Sequence, residues 1–394
     1  MSARPALSVF ATTALLAATG CTQKQLEDLL FDTYLVKLDA EPAEVVTTVN
    51  EIAVVFEFEP IHIFTQATQG FSVDLPVGVA DEIRAFDGVD FVVIDNPDRK
   101  APPDDWEEPD LGQDEVPEGI ARIGGPVTSV DLSGVAVAVV DTGVDLDHPD
   151  LNVIGAKDIV AEAGGNDRDG DDGYGHGTHV AGIIGAEADG DGVAGVAPGV
   201  GLYAVRVLDD SGGGTYGDVI AGLDWVLSEP DIRVVNLSLG APGDPGANSM
   251  LDDAIQALLD AGVVVCIAAG NDGADTATFV PAGFDLGVVV SAYDTDGGDN
   301  GFAYFSNYGD EVDIAAPGVN ITSTYLDGAW AALSGTSMAT PHVAGAAAAY
   351  LAQNPSAGPD DFLADVVSSG EDGYEGQGGD HPEPLLDVGS LIGR

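Results

Sequence analysis

Apolar positions between residues 31 and 96 fall in short runs whose period switches between that of a strand and that of a helix. A strand is expected at Tyr34–Leu38, and Pro42 is placed to open a helix through Val49. Strand-like runs follow at Ile52–Phe58, continuing to Ile63, and at Phe71–Leu75; a helical stretch over Val79–Phe86 then leads to a strand at Val89–Ile94. The order βαββαβ is that of the ferredoxin-like fold. A unit of about 65 residues has little interior, so marginal stability without a partner is expected of it. Residues 97–115 lose the periodicity, gather prolines and acids, and read as an exposed linker. From Val116 onward, continuous β-branched runs at Val135–Val140, Leu202–Val207, Arg233–Leu237, Val263–Ala268 and Val288–Val290 alternate with small-residue helices. Continuous runs predict parallel strands covered on both faces, hence an α/β domain over residues 116–394.

Composition changes the picture next. Of 394 residues, 67 are acidic and 12 basic, a formal charge of −55, which excludes binding to nucleic acid or to an anionic membrane surface by bulk electrostatics. With 45% hydrophobic residues the acid sits on a chain that can fold. The lysines are Lys24, Lys37, Lys100 and Lys157, so carboxylates must dominate the surface; a saline or calcium-containing medium is expected to screen them. The cysteines are Cys21 and Cys266, so disulfides cannot carry the scaffold; Cys266, inside an apolar run, reads as a buried free thiol. Arg4 followed by the apolar stretch Pro5–Ala18 reads as an export signal over residues 1–20, too short to span a bilayer. Ala18-Thr19-Gly20-Cys21 resembles a bacterial lipoprotein processing box, and a lipid on Cys21 would be the protein's membrane contact. A secreted or envelope-bound monomer is expected.

Asp141 directly follows the run Val135–Val140, at the carboxyl end of a core strand, where open α/β sheets place their ligand sites. A lone aspartate there also serves as a helix cap or turn residue, so its partners decide. His176 lies between glycines in GYGHGTHVAG, at the mouth of a helix, and imidazole suits general base work when a carboxylate orients its second nitrogen. His179, three residues on, lacks a metal-binding spacing and reads as structural. Ser337 lies in LSGTSMATPHVAG, at the start of a small-residue helix whose free N–H groups favour an anion formed in acyl transfer. Asn271, in AAGND, follows another apolar run at a strand end and can donate to a developing oxyanion.

DTGV at Asp141, HGTHVAG at His176 and GTSMATPHVAG at Ser337 resemble the three signature blocks of the subtilisin-like serine proteases. The resemblance covers Val116 to the C-terminus and implies the three-layer α/β fold with a mostly parallel sheet. It implies Ser337 as nucleophile, His176 as general base and then acid, Asp141 as the group that fixes the imidazole, and Asn271 as oxyanion donor. It further implies peptide or protein substrates held as an added strand between SGGGTYG and NLSLG, hence Gly213 and Gly214 on one side and Ser238, Leu239 and Gly240 on the other. No organic cofactor is implied. A noncatalytic calcium- or peptide-binding surface protein on the same fold is the alternative, against which all four catalytic positions stand intact.

In the loop EADGDGV the resemblance implies a calcium ion held by the Asp189 side chain and by backbone oxygens of Glu187, Asp191 and Val193, with Asp150 and Asp114 completing an oxygen shell. Asp167, Asp169 and Asp171 in NDRDGDDG alternate like a second calcium loop, without the distal glutamate of an EF-hand. Residues 31–96, in GFSVDLP and VDFVVIDNP, look like the inhibitor prodomain of the same family. A self-processing proenzyme is therefore expected, cut within 97–115, with Arg99 and Lys100 as candidates and its own prodomain as intramolecular inhibitor.

Overall fold

In chain order the elements of the front unit are β1 (Phe31–Leu38), α1 (Val45–Phe56), β2 (His62–Phe64), β3 (Gly70–Pro76), α2 (Val79–Arg84) and β4 (Val89–Ile94). The structure, a computed structural model, describes residues 31–76, 79–86, 88–95, 115–247, 249–295, 301–372 and 382–393. The front strands form an antiparallel sheet in the order β2-β3-β1-β4, completing the expected βαββαβ arrangement. One boundary differs from expectation: Ile52–Phe56 is the second half of α1, not a strand. Val45, Val49 and Ile52, spaced i, i+4 and i+7, are the residues α1 buries, and that helical period overrides the β preference of its valines. The front core gathers them with Val36, Phe71, Val73, Leu75 and Ile83.

The second unit continues with α3 (Glu118–Arg122), β5 (Ala136–Asp141), β6 (Val153–Asp158), α4 (Ile159–Glu162), α5 (His176–Gly185), β7 (Gly201–Arg206), α6 (Tyr216–Val226) and β8 (Ile232–Leu237). After these come β9 (Ala241–Pro242), α7 (Ser249–Asp260), β10 (Val264–Ala268), β11 (Phe279–Val280), β12 (Val288–Asp294), β13 (Gly301–Phe302) and β14 (Ile314–Pro317). The hairpin β15 (Ile321–Tyr325) and β16 (Ala329–Leu333) and the helices α8 (Thr336–Gln353), α9 (Pro359–Ser369) and α10 (Val388–Ile392) close the chain. The main sheet runs β6-β7-β5-β8-β10-β12-β14 with every neighbour parallel, and β13 pairs antiparallel with the end of β12.

Alternate residues of β5 enter opposite cores, which is what makes the fold three-layered. Val137 and Val139 pack with α5 and α8, while Ala138 and Val140 pack with α6 and α7. Every residue of α8 from Thr336 to Leu351 is buried, so alanine and glycine are the side chains that fit along it. The carboxyl ends of β5, β7, β8 and β10 lie on one edge of the sheet, and Asp141, Gly213–Gly214, Ser238–Gly240 and Asn271 lie at or just beyond those ends.

The front sheet is seated on α6 and α7, with Leu35, Phe64 and Ala67 joining the core beneath those helices. Asp95 accepts the N–H groups of Tyr216 (2.7 Å) and Gly217 (2.9 Å) at the start of α6. His62 Nε2 lies 2.9 Å from Asp218, and Asp224 accepts the N–H groups of Gln66 and Ala67. Lys37 pairs with Asp253 on α7. Among the described residues no helix is long and apolar enough to cross a membrane.

Candidate active site

β5 ends in Asp141, fully buried, whose Oδ1 accepts the N–H of Thr142 (2.7 Å). Its two carboxylate oxygens lie 2.8 and 2.9 Å from Nδ1 of His176. A carboxylate at that distance holds the hydrogen on Nδ1 and leaves Nε2 as the basic nitrogen. His176 is the first residue of α5, entered through Gly175 at φ 106°, where the ring of Tyr325 lies 2.4 Å from where a Cβ would be. Both the left-handed backbone and the crowding therefore demand glycine. Asp172 secures the helix start: its Oδ1 accepts from Tyr174 and Gly175, and its Oδ2 from the N–H and hydroxyl of Thr178. Four charge-assisted bonds thus fix the turn that aims His176. Asp172 escaped the sequence reading, although its place four residues before the histidine is a helix-cap signal.

Ser337 is the second residue of α8 and is buried. Its hydroxyl donates to the carbonyl of Ser238 (3.2 Å), and the Ser238 hydroxyl donates to the carbonyl of Ser337 (2.8 Å), so the ends of β8 and α8 are tied together. Asn271 approaches the same helix start. Its Oδ1 accepts from Thr336 N–H (2.8 Å) and Thr336 Oγ1 (3.1 Å), and Thr336 Oγ1 accepts from Gly270 N–H (3.1 Å). With Oδ1 occupied, the NH2 is the end of the amide that can meet an incoming oxygen.

The other histidines nearby are structural. His179 Nε2 donates to the carbonyls of Ile321 and Ala331, and burial, with His176 close by, lowers its pKa to about 3. His342 Nδ1 donates to Met338 carbonyl, and burial lowers its pKa to about 4. Both stay neutral near pH 7 and brace β15, β16 and α8. Cys266 is a buried free thiol, its pKa pushed up by burial, as expected of it.

Gly213 and Gly214 lie beyond β7 in a turn closed by Asp209, whose N–H donates to Gly213 carbonyl (2.7 Å) and whose Oδ1 accepts from Gly213 N–H (3.1 Å). Ser238, Leu239 and Gly240 leave β8 on the same edge. Asp150 reaches the 187–193 loop at both ends: its carbonyl accepts from Glu187 N–H and its Oδ2 from Val193 N–H. Asp189 Oδ1 accepts from Asp191 N–H. Gly192 passes so near Asp150 that a Cβ would lie 2.4 Å from Oδ2, and burial with Asp189 nearby raises the Glu187 pKa. The loop offers oxygen donors of the kind calcium takes, backbone carbonyls with the Asp150 and Asp189 carboxylates, but among the described residues no three acidic, histidine or cysteine side chains are gathered there. Asp114, Cys21, Arg99 and Lys100 lie outside the described residues.

Asp167, Asp169 and Asp171 are not brought together as a metal cluster; among the described residues no three acidic, histidine or cysteine side chains are. Asp167 Oδ1 accepts from Asp169 N–H and Asp171 Oδ1 from Leu146 N–H. The loop is instead tied by arginines. Fully buried Arg206 donates to Asp158, to the carbonyl and side chain of Asn166, and to Asp210, while Arg168 also pairs with Asp210.

The profile of the Subtilase family matches residues 132–380. Subtilisin Savinase of Lederbergia lenta is 46% identical over 244 residues, covering 61% of this chain and 86% of that protein. Subtilisin E of Bacillus subtilis strain 168 is 43% identical over 247 residues, covering 61% of this chain and 62% of its own length, so this chain matches less than two thirds of that relative. A solved structure, of a cold-adapted subtilisin-like serine proteinase, superposes with a TM-score of 0.60 at 36% identity, over 68% of this chain and 97% of that one.

Proposed function

Since the chain belongs to the subtilase peptidase family, we propose that it is an exported serine endopeptidase, made as a self-processing proenzyme. Ser337 Oγ attacks the peptide carbonyl carbon, and His176 Nε2 takes the hydroxyl proton. Asp141 holds Nδ1 and stabilises the imidazolium, and Asn271 Nδ2 donates to the oxyanion. The C–N bond breaks as His176 returns the proton to the leaving amine. Water, deprotonated by the same nitrogen, then releases the acyl group from Ser337. The observation that carries this reading is the pairing of His176 Nδ1 with Asp141 at 2.8 Å on the sheet edge where Asn271 follows β10 and where Ser337, at the start of α8, is bonded to Ser238 after β8.

Substrate would lie as a strand between Gly213–Gly214 and Ser238–Gly240. The front unit acts in this reading as the inhibitor: Asp95, at its end among the described residues, accepts from Tyr216 N–H, two residues beyond Gly214 and so close to one proposed substrate strand. Calcium at Asp150, Glu187, Asp189, Asp191 and Val193 would neutralise that loop's charge. The signal over residues 1–20 and a lipid on Cys21 belong to the same proposal.

The test is the intact mass of the chain without its signal, refolded in calcium and salt, beside Ser337→Ala. The wild type is expected to split within residues 97–115 while the variant stays whole. Two folded, uncut proteins would overturn self-processing.

A further inference from the structure

Asn236 is a polar residue on β8, a strand covered on both faces. Val234 packs into the core shared with α5 and α8, and Val235 and Leu237 into the core shared with α6 and α7, so alternation turns Asn236 toward α8. It is fully buried, with Val139 of β5 and Cys266 of β10 beside it in the sheet. Its Nδ2 donates to Ser238 Oγ (2.9 Å), and Ser238 Oγ donates to the carbonyl of Ser337 (2.8 Å). Proton counting fixes the direction of this relay. The Ser337 carbonyl can only accept, so the one hydroxyl proton of Ser238 is committed to it; the hydroxyl oxygen is left as an acceptor, and Asn236 must present its NH2. Asn236 Oδ1 is then buried without a hydrogen-bond partner among the described residues. An unpaired buried acceptor lowers stability, and a valine at this position would carry none.

The carbonyl at the end of the relay is one that its own helix cannot satisfy. In α8 it would accept from the N–H of residue 341, but that residue is Pro341, which has no N–H and crowds the carbonyl four positions before it. The Ser238 hydroxyl takes the place of the missing donor. We propose that Asn236 and the Ser238 hydroxyl are positioning groups for the nucleophile: they hold the Ser337 peptide unit at the break that Pro341 makes in α8, and so set where Ser337 Oγ stands relative to His176 and Asn271. The inference rests on the endopeptidase reading above and adds to its machinery groups that touch no reacting atom. Placement matters at this point because a shift of about 1 Å at a reacting group can cost about 100-fold in rate. The unpaired oxygen of Asn236 is the stability cost of that placement.

The test compares Asn236→Val, Ser238→Ala and Pro341→Ala with the wild type, each refolded as the full chain without its signal. Four quantities are read: kcat and KM on one chromogenic peptide, the rate at which a fluorophosphonate labels Ser337, and the Tm. Ser238→Ala is expected to lower kcat and the labelling rate together by about 10- to 100-fold, with KM within about twofold, because the backbone proposed to pair with substrate is left in place. Asn236→Val should lower both rates by less, at a Tm equal to or above the wild type's, since it removes the unpaired acceptor. With Pro341→Ala, residue 341 supplies an N–H to the Ser337 carbonyl, so adding Ser238→Ala should cost less than it does in the wild type. A variant too slow to mature is read by the first-order rate of its own cleavage, which needs no binding step. Rates unchanged in Ser238→Ala and Asn236→Val, whatever their Tm, overturn the proposal, as does an equal cost of Ser238→Ala with and without Pro341. If Ser238→Ala fails to fold, the split between Tm and kcat in Asn236→Val decides alone. A folded wild type that cuts nothing and does not react with the fluorophosphonate overturns the endopeptidase reading and this inference with it; an active wild type with unaffected variants overturns the inference alone.

Discussion

At the scale of single residues, charge in this protein is placed by what surrounds it. Asn271 is fixed by two bonds from Thr336, so its amide is oriented before any substrate arrives, and that orientation is where an oxyanion donor gains over water. Asp313 shows the opposite case, a carboxylate held at a cost. Burial, with Asp285 nearby, raises its pKa to about 6, although its Oδ2 accepts from Val289 N–H (2.8 Å). A folded-state pKa above the unfolded one means that the native state favours the protonated acid. Stability on this account is present below about pH 4 and lost as pH rises through about 6. Two pKa units correspond to about 3 kcal/mol as an upper bound. Asp313→Asn keeps an acceptor for Val289 and removes the charge. Its Tm is expected to exceed the wild type's by several degrees at pH 8 and to match it near pH 4; equal Tm values at pH 8 would sink the assignment.

At the scale of elements, the parts of the molecule set by periodicity were legible and the parts set by partners were not. The apolar runs ending at Val140 and Ala268 mark β5 and β10 because a strand buried on both faces has little room for polar side chains, and Asp141 and Asn271 follow from where those runs stop. The second half of α1 reads as a strand because exposed Val54 and Val55 follow Ile52, the last of the buried residues Val45, Val49 and Ile52, and mask the helical period. The acids of the loop at 166–172 read locally as a calcium loop, whereas the residue that holds the loop from outside, Arg206 at the end of β7, binds it through Asn166 and is distant in sequence. Arg206 gathers Asp158, Asn166 and Asp210, and so joins the end of β6, the loop before His176 and the turn before Gly213. Removing one partner of a buried ion pair leaves the other charge stranded. Arg206→Met should therefore cost about 3–5 kcal/mol, read by denaturant unfolding, with Arg206→Lys intermediate because an ammonium cannot reproduce the planar fork. An unchanged unfolding midpoint for Arg206→Met would show that the network is not structural.

At the scale of the whole molecule, 67 acidic residues face 12 basic ones, and the folded state concentrates that charge on one surface. The described cations are already engaged in part: Lys157 with Glu162, Arg122 with Glu371, Arg168 with Asp210, and Lys37 across the seam between front unit and α7. Most carboxylates must then repel one another through solvent, more strongly in the native state than in an expanded chain. The screening length is about 30 Å at 0.01 M salt and about 3 Å at 1 M, so repulsion that spans the molecule at low salt is confined to neighbours at high salt. The Tm is therefore expected to rise steadily with sodium chloride over that range. Calcium adds a second, separable term, because an ion bound by the folded 187–193 loop stabilises it by mass action. At 0.01 M salt, millimolar calcium should raise the Tm more than magnesium at equal ionic strength, and Asp189→Asn should abolish the difference while leaving the sodium chloride dependence intact. A Tm indifferent to salt would contradict the charge argument, and equal effects of the two divalent ions would contradict the calcium loop.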